Sequence, residues 1–421
     1  MSQKPSSMVL QPSRSSSAGT STVGHHSSFN LHVMQLNAWL IPVRPNFPHC
    51  LDFHALTRAN RMALWLEEEV LNHRLDIAIF QEVWTPWRSV VAASIHSMFC
   101  CRLFGRSVIE KTLSKSLPYI TKVQGSMPCD CTKRFFDSGL VIASRYPIME
   151  EEFRIYPSGS PHDALSSKGI LVAALRRPDN GIVIVGSSHL DAGDDDSFKI
   201  DQLRIALSVF KEFTAKIQAK YDSLDIVATL FGSDMNIDGI EFWETENSYA
   251  QVRTMMNEQG FQDSWLLTPR EIPPADVIKA KAYRPEKQPQ LGITSDQHEC
   301  VKRLDYVWVC PGPIGTRYGG PPTPAVVHHT APQQEMMDAM RRSGSSRQMA
   351  KNFGVSAKTE LNDGIQWQSS AAMRDMINES IKNGEDKKAT KKIQDKVDLH
   401  DRAERLSDHA AIFAKLHFFP Q

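Results

Sequence analysis

Six stretches of this sequence share one build: an apolar run of strand length that stops on a residue able to hold a metal ion, a proton or a phosphate oxygen. Residues 30–40, containing "NLHVMQLNAW", alternate apolar positions and present Asn37 near their end. The run "LDIAIFQEVW" finishes in Gln81, Glu82 and Trp84. A hairpin over "SKGILVAALRRPDNGIVIVGSSHLDA", turning at residues 179–181, ends its second strand at His189. Residues 225–230 run into "FGSDMN", which carries Asp234 and Asn236. "VKRLDYVWV" carries Asp305, and "LSDHAAIFAKLHF" places Asp408 and His409 just before a last strand. Helical spacing of apolar residues fills intervals at 59–72, 199–221 and 248–258. Sheets assembled from such strands gather the polar ends into one crevice.

The residue types at those ends specify a chemistry. Alternation along an extended chain sends residues i and i+2 to one side, so Asp234 and Asn236 are expected to face a common point. The plainer alternative is a turn, since Asp, Asn and Gly all favour turns. A hard divalent cation such as magnesium takes oxygen ligands and usually one or two protein carboxylates, a number that Glu82 with Asn37 supplies. Manganese or cobalt is also admitted, because oxygen ligands discriminate weakly. Phosphodiester cleavage needs an activated water, for which His409 oriented by Asp305 is a suitable pair. Asp234 and Asn236 would orient water or phosphate, and His189 would stabilise developing charge or protonate the leaving group. Each has a local alternative: Glu82 a surface carboxylate, His189 a hydrogen-bonded buried imidazole, Asp305 a partner of Lys302 or Arg303.

Composition narrows the partners. Lys plus Arg equals Asp plus Glu at 48 each, which removes the uniform positive field that non-specific nucleic-acid binding uses. Seven cysteines at irregular positions form no paired zinc pattern, so reduced thiols in an intracellular protein are expected. Residues 1–28 are Ser-rich without the apolar centre of a signal peptide and read as a disordered tail. No stretch reaches the roughly 18 apolar residues of a spanning helix, so a cytoplasmic or peripheral-membrane monomer is expected. Residues 313–397 change to Pro, Gly and Lys-rich texture and read as an insertion, partly helical or disordered, within a catalytic domain of 29–312 and 398–421. Two regions are candidates for resting on a bilayer: 86–104, more simply a core-packed helix, and 116–136, with Tyr119 and Ile120 among basic residues.

The motifs "LNAW", "QEVW", "GSDMN", "RLDYVW" and "SDH", in that order, resemble the endonuclease/exonuclease/phosphatase superfamily with its deoxyribonuclease-I-like fold. Within it, Trp84, "FDSGLVIASRYPI", "SSKGILVAAL" and "SHLDA" resemble the magnesium-dependent neutral sphingomyelinases and sphingomyelinases C. The family's Gly-Gly-Asp is here Gly232, Ser233 and Asp234. The resemblance implies an α/β (α+β) four-layer αββα sandwich of two mixed sheets. It also implies hydrolysis of a phospholipid such as sphingomyelin, at a membrane surface, to ceramide and phosphocholine. By position it implies Glu82 as principal magnesium ligand with Asn37 beside it, and His409 as general base. His189, Asp234 and Asn236 would act at the phosphate, Asp305 and Asp408 would support the histidines, and Lys168 and Asp137 would help position substrate. The same fold also serves abasic-site nucleases and inositol-phosphate phosphatases, and a silent binding module would keep it too.

Overall fold

In the computed structural model the described residues are 28–40, 43–84 apart from 45, 46 and 52, 105–125, 134–267 with short gaps, 294–295, 302–315, 325–330, 407, 409 and 411–418. The Ser-rich tail, the 86–104 segment, Asp408 and most of 313–397 lie outside them.

Two six-stranded sheets face each other. The first runs β13 (Ala325–Thr330), β14 (Ala411–Phe418), β1 (Phe29–Asn37), β4 (Ile77–Gln81), β6 (Val141–Ser144) and β5 (Tyr119–Ile120). The second runs β11 (Gln262–Asp263), β12 (Asp305–Pro311), β10 (Ile226–Asp234), β9 (Ile182–His189), β8 (Gly169–Arg176) and β7 (Ile148–Ile155). A two-stranded ribbon, β2 (Val43–Arg44) with β3 (Phe47–Leu51), stands apart. Each large sheet has one parallel pair at its centre, β1 with β4 and β10 with β9, and antiparallel neighbours outside it. Both sheets are therefore mixed.

Three apolar layers follow from the period of two along these strands. Leu31 and Val33 of β1, Ile77 and Ile79 of β4, Val183 and Val185 of β9, Ala228 and Leu230 of β10, and Val307 and Val309 of β12 meet between the sheets. Their odd-numbered or even-numbered neighbours face outward. Met34, Leu36, Ala78 and Phe80 pack on Met62, Trp65, Leu66 and Val70 of α1 (Phe53–Asn72) and on Ile109 and Leu113 of α2 (Gly105–Leu113). On the second sheet, Ile184, Phe231, Tyr306 and Trp308 pack on Ile200, Leu203, Phe210 and Phe213 of α3 (Asp196–Lys220) and on Val252 and Met256 of α4 (Ser248–Glu258). A one-turn helix, α5 (Ser264–Leu267), follows β11. Helix, sheet, sheet, helix is the four-layer sandwich that the motifs implied.

Covering both faces explains why the strands read as continuous apolar runs rather than strict alternations: β4, β9, β10 and β12 are buried at every residue. Each fully buried Val, Leu or Ile contributes about 1.5–3 kcal/mol to that assembly. Helix α3 starts where Asp195 accepts a hydrogen bond from Ser197 N at 2.9 Å, and α4 where Asn247 accepts from Ala250 N at 2.8 Å. Strand β13 falls in the stretch expected to be an insertion, yet it pairs antiparallel with β14 along its whole length. The first sheet thus extends into that segment. A helix beginning near residue 59 was expected; α1 begins at Phe53, since helix ends are set by backbone bonding that apolar spacing does not register.

Candidate active site

The face of each strand that points between the sheets carries apolar residues up to its last turn and polar ones at the mouth. On β1 that face reads Leu31, Val33, Gln35, Asn37, and on β10 it reads Ala228, Leu230, Gly232, Asp234. Pairing then sets the polar residues side by side. Asp234 lies opposite His189 on the parallel β9 and opposite Asp305 on the antiparallel β12, while Asn37 lies opposite Gln81. The site forms at the carboxyl ends of both central parallel pairs. Gly232 lets the two sheets approach there, because a Cβ on it would sit 2.7 Å from Ile79 Cδ1 of the facing sheet.

Asp234 is the hub. Its Oδ2 accepts from Asn37 Nδ2 at 2.9 Å and lies 3.6 Å from His189 Nε2 and 3.8 Å from His409 Nε2. Asn37 Nδ2 also donates to Glu82 Oε1 at 3.0 Å, and His189 Nδ1 lies 3.9 Å from that oxygen. His409 Nδ1 is 2.6 Å from Asp305 Oδ2. Asn37, His189, Asp234, Asp305 and His409 are all at least nine-tenths buried. Glu82 lies just beyond β4 with a backbone φ of 55°, and Trp39 (47°) and Asn236 (51°) share that left-handed conformation. For a residue with a Cβ this costs roughly 1–2 kcal/mol. Three such residues beside one cleft mark loops held in shape by their surroundings.

Six of the ten expected residues therefore meet: Asn37, Glu82, His189, Asp234, Asp305 and His409. Asn236 arrives differently from its expectation. Strand β10 ends at Asp234, whose Oδ1 accepts from Asn236 N at 2.9 Å, so the chain turns and the two side chains do not continue one extended face. Asn236 Nδ2 instead donates to Leu190 O at 3.2 Å. Lys168 reaches the same carbonyl at 2.7 Å and pairs with Asp163 at 2.9 Å, in a network adjoining the hub. Asp137 Oδ1 accepts from Gly139 N, at a φ of 63°, so the contact it makes shapes a turn packed on Trp84. Spacing alone did not single out Gln35, although it stands two residues before Asn37 and therefore on the same face.

Burial dominates the electrostatics of His189. Its pKa falls to about 3, first through desolvation and then through Lys168, with Asp234 pulling the other way and His409 adding to the fall. The ring is accordingly neutral at pH 7 in the absence of a bound ion, a hydrogen-bond donor rather than an acid.

The donor set fits a divalent cation. Three acidic side chains and two imidazoles converge in a buried place, and Asp234, Asp305 and His409 present ligating atoms within 4.8 Å of one another. Such an excess of acidic groups calls for a cation. Two placements compete. An Asp–Asp–His set uses the His409 nitrogen that an oxygen-loving ion would leave alone, whereas Glu82 with Asn37 keeps the His409–Asp305 pair intact. Asn37 turns its NH2 to the carboxylates, and its Oδ1 accepts from Trp39 N at 3.0 Å, so ligation through Asn37 requires the amide to reverse.

No family model matches the chain. Among curated proteins, sphingomyelin phosphodiesterase 5 of Danio rerio is 35% identical over 111 residues, 25% of this chain and 20% of that protein. A sphingomyelinase of Dictyostelium discoideum is 22% identical over 327 residues, 66% of this chain and 69% of that one. The match to the fish protein spans about a fifth of its length. Among solved structures, a beta toxin variant from Staphylococcus aureus with bound magnesium ions is 17% identical, covers 72% of this chain and 89% of that one, and superposes with a TM-score of 0.46. The chain that forms this two-sheet sandwich is thus similar in sequence, over part of its length, to a sphingomyelin phosphodiesterase and to a sphingomyelinase.

Proposed function

We propose that this protein is a divalent-metal-dependent phosphodiesterase that hydrolyses sphingomyelin, or a related choline-type phospholipid, to ceramide and phosphocholine. The observation that carries the reading is the pair His409 Nδ1 to Asp305 Oδ2 at 2.6 Å, with His409 Nε2 turned toward Asp234 beside Glu82 and Asn37. With Nδ1–H donated to Asp305, Nε2 is the ring's proton acceptor. It takes a proton from water as the water oxygen bonds to phosphorus, and the bond from phosphorus to the ceramide oxygen breaks, that oxygen taking up a proton from solvent to leave as the ceramide hydroxyl. Neutral His189 donates a hydrogen bond to charge that develops on phosphate oxygen, a role its depressed basicity favours over protonating the leaving group. Asp234 holds the water, and in the metal-free site Asn37 Nδ2 bridges Asp234 and Glu82, a bridge that is given up when the amide reverses. Glu82, with Asn37 reversed, would hold magnesium, which when bound supplies positive charge to the phosphate. Lys168 and Asn236 brace Leu190 O next to His189 and position the phosphate side of the cleft.

A nuclease of the same fold lacks support from the balanced charge of 48 basic and 48 acidic residues. The test is phosphocholine release from sphingomyelin in mixed micelles, with magnesium and with chelator, beside a duplex carrying an abasic site. Magnesium-dependent release from the lipid alone is expected. Cleavage of the duplex alone would move the protein to the nuclease branch, and no turnover of either would favour a binding module.

A further inference from the structure

The layer between the sheets is built from Val, Ile, Leu and Ala, yet at its active end it contains two glutamines with no solvent exposure, Gln35 and Gln81. Buried amides in such a layer need partners, and theirs link Asp305 at one end to Ser187 and Gly232 O at the other. Gln35 Nε2 donates to Asp305 Oδ1 at 2.9 Å and to Gln81 Oε1 at 2.6 Å. Gln81 Nε2 donates in turn to Ser187 Oγ at 3.1 Å, and Ser187 Oγ donates to Phe80 O at 3.2 Å. The relay begins on β1, crosses to β4, and is anchored on β9 of the opposite sheet.

Its direction is set by chemistry. An ionised carboxylate only accepts, so the NH2 of Gln35 must face Asp305. The same nitrogen then faces Gln81, which leaves the Gln81 oxygen toward Gln35 and its NH2 toward Ser187. One carboxylate thereby fixes both amide orientations. The arrangement leaves Gln35 Oε1 buried with no hydrogen-bond partner among the described residues, which is the reverse of what a purely structural amide would adopt. Among the described residues, the Asp305 carboxylate has one side-chain donor on each oxygen: His409 on Oδ2 and Gln35 on Oδ1. Without the second donor the carboxylate can rotate about its Cβ–Cγ bond, and the His409 ring follows it.

We infer that Gln35, held by Gln81, is a positioning residue that locks the Asp305 carboxylate and through it the Nδ1–H tautomer and orientation of His409. Gln35 touches neither substrate nor the reacting atoms. The inference deepens the proposed hydrolysis, since it takes His409 as the base, but its first readout needs no substrate.

The experiment uses the full chain with 15N-labelled histidine. In the wild type, His409 is expected to show a protonated Nδ1 with a far-downfield proton resonance, assigned by its loss in His409→Ala. Gln35→Met, close in volume and unable to donate, is expected to move or broaden that resonance and to lower kcat about ten- to a hundredfold with KM within about twofold. Val33→Ala, on the same strand face but in the apolar layer, serves as the stability-matched control and should leave both unchanged. Gln81→Met should give the same pattern more weakly, and covers the case in which Gln35→Met does not fold. A wild-type His409 protonated on Nε2 instead, or a folded Gln35→Met with unchanged resonance and kcat, overturns the inference. If the resonance moves as expected but neither enzyme turns over sphingomyelin, the positioning role stands and the substrate assignment fails.

Discussion

Asp234 sits at the centre of the site because two backbone pairings place His189 on one side of it and Asp305 on the other in the same sheet, with the Asn37 side chain of the opposite sheet hydrogen-bonded across the gap. The two histidines differ in environment. His409 has a carboxylate at 2.6 Å, whereas the carboxylates nearest His189 stand at 3.6 and 3.9 Å and burial, then Lys168, hold its ring neutral. On the proposed mechanism, removing the base and removing the metal ligand should look different. His409→Ala should lower kcat by about 10³-fold at every magnesium concentration. Glu82→Gln should instead raise the magnesium needed for half-maximal activity by about tenfold or more, with activity partly restored at high metal. Measuring rate against magnesium for both variants separates them, and near wild-type turnover by His409→Ala would remove it from the mechanism.

At the scale of elements, helix α3 lies so closely on β9 that a Cβ at Gly186 would come within 2.1 Å of Phe210 Cζ. Phe210 is in turn packed edge-on against Phe231 and Phe261, so it has no room to withdraw. Gly186→Val is expected to destabilise the protein by about 1–3 kcal/mol through overpacking, measured as a shift of the urea midpoint at unchanged slope. An unchanged midpoint would mean that α3 can slide on the sheet. Helix α3 also carries Lys199, whose Nζ donates to Asn236 O at 2.9 Å, so the same packing braces the turn after Asp234. A second brace lies beyond β12. Arg303 pairs with Asp263 at 2.8 Å beside the stacked rings of Tyr249 and Tyr306, and Tyr306 Oη donates to Ile237 O at 2.6 Å. Asp305 turned to His409 rather than to Lys302 or Arg303, the pairing that its neighbours in sequence allowed: Arg303 lies before β12, which begins at Asp305, and its guanidinium is bonded to Asp263 and to Gly239 O.

At the scale of the whole molecule, a bound cation would act through the charge of the crevice. If the acidic cluster holds a divalent ion only when folded, magnesium at 100 times its dissociation constant should raise unfolding free energy by about 2.7 kcal/mol, and Glu82→Gln should lose most of that gain. Denaturant titration with magnesium and with chelator measures it, and identical curves would mean that the folded cluster holds no ion. Much of this architecture was legible beforehand. Apolar runs closing on Asn37, Glu82, His189, Asp234, Asp305 and His409 located the strands and the side chains that meet, because a strand's length and the polarity of its end are local properties. The hairpin turning at residues 179–181 was local in the same way. Other features depended on neighbours distant in sequence. Asn236 faces Leu190 O, and Asp137 serves a turn on Trp84. Lys168 is shared between Asp163 and Leu190 O, and Gln35 holds an aspartate 270 positions away. Sequence by itself determined which elements form and which chemistry their ends carry, since backbone period and side-chain type act within a few residues. Tertiary structure alone decided which oxygen meets which nitrogen, because hydrogen bonds form over about 3 Å and two sheets must pack before those atoms are neighbours.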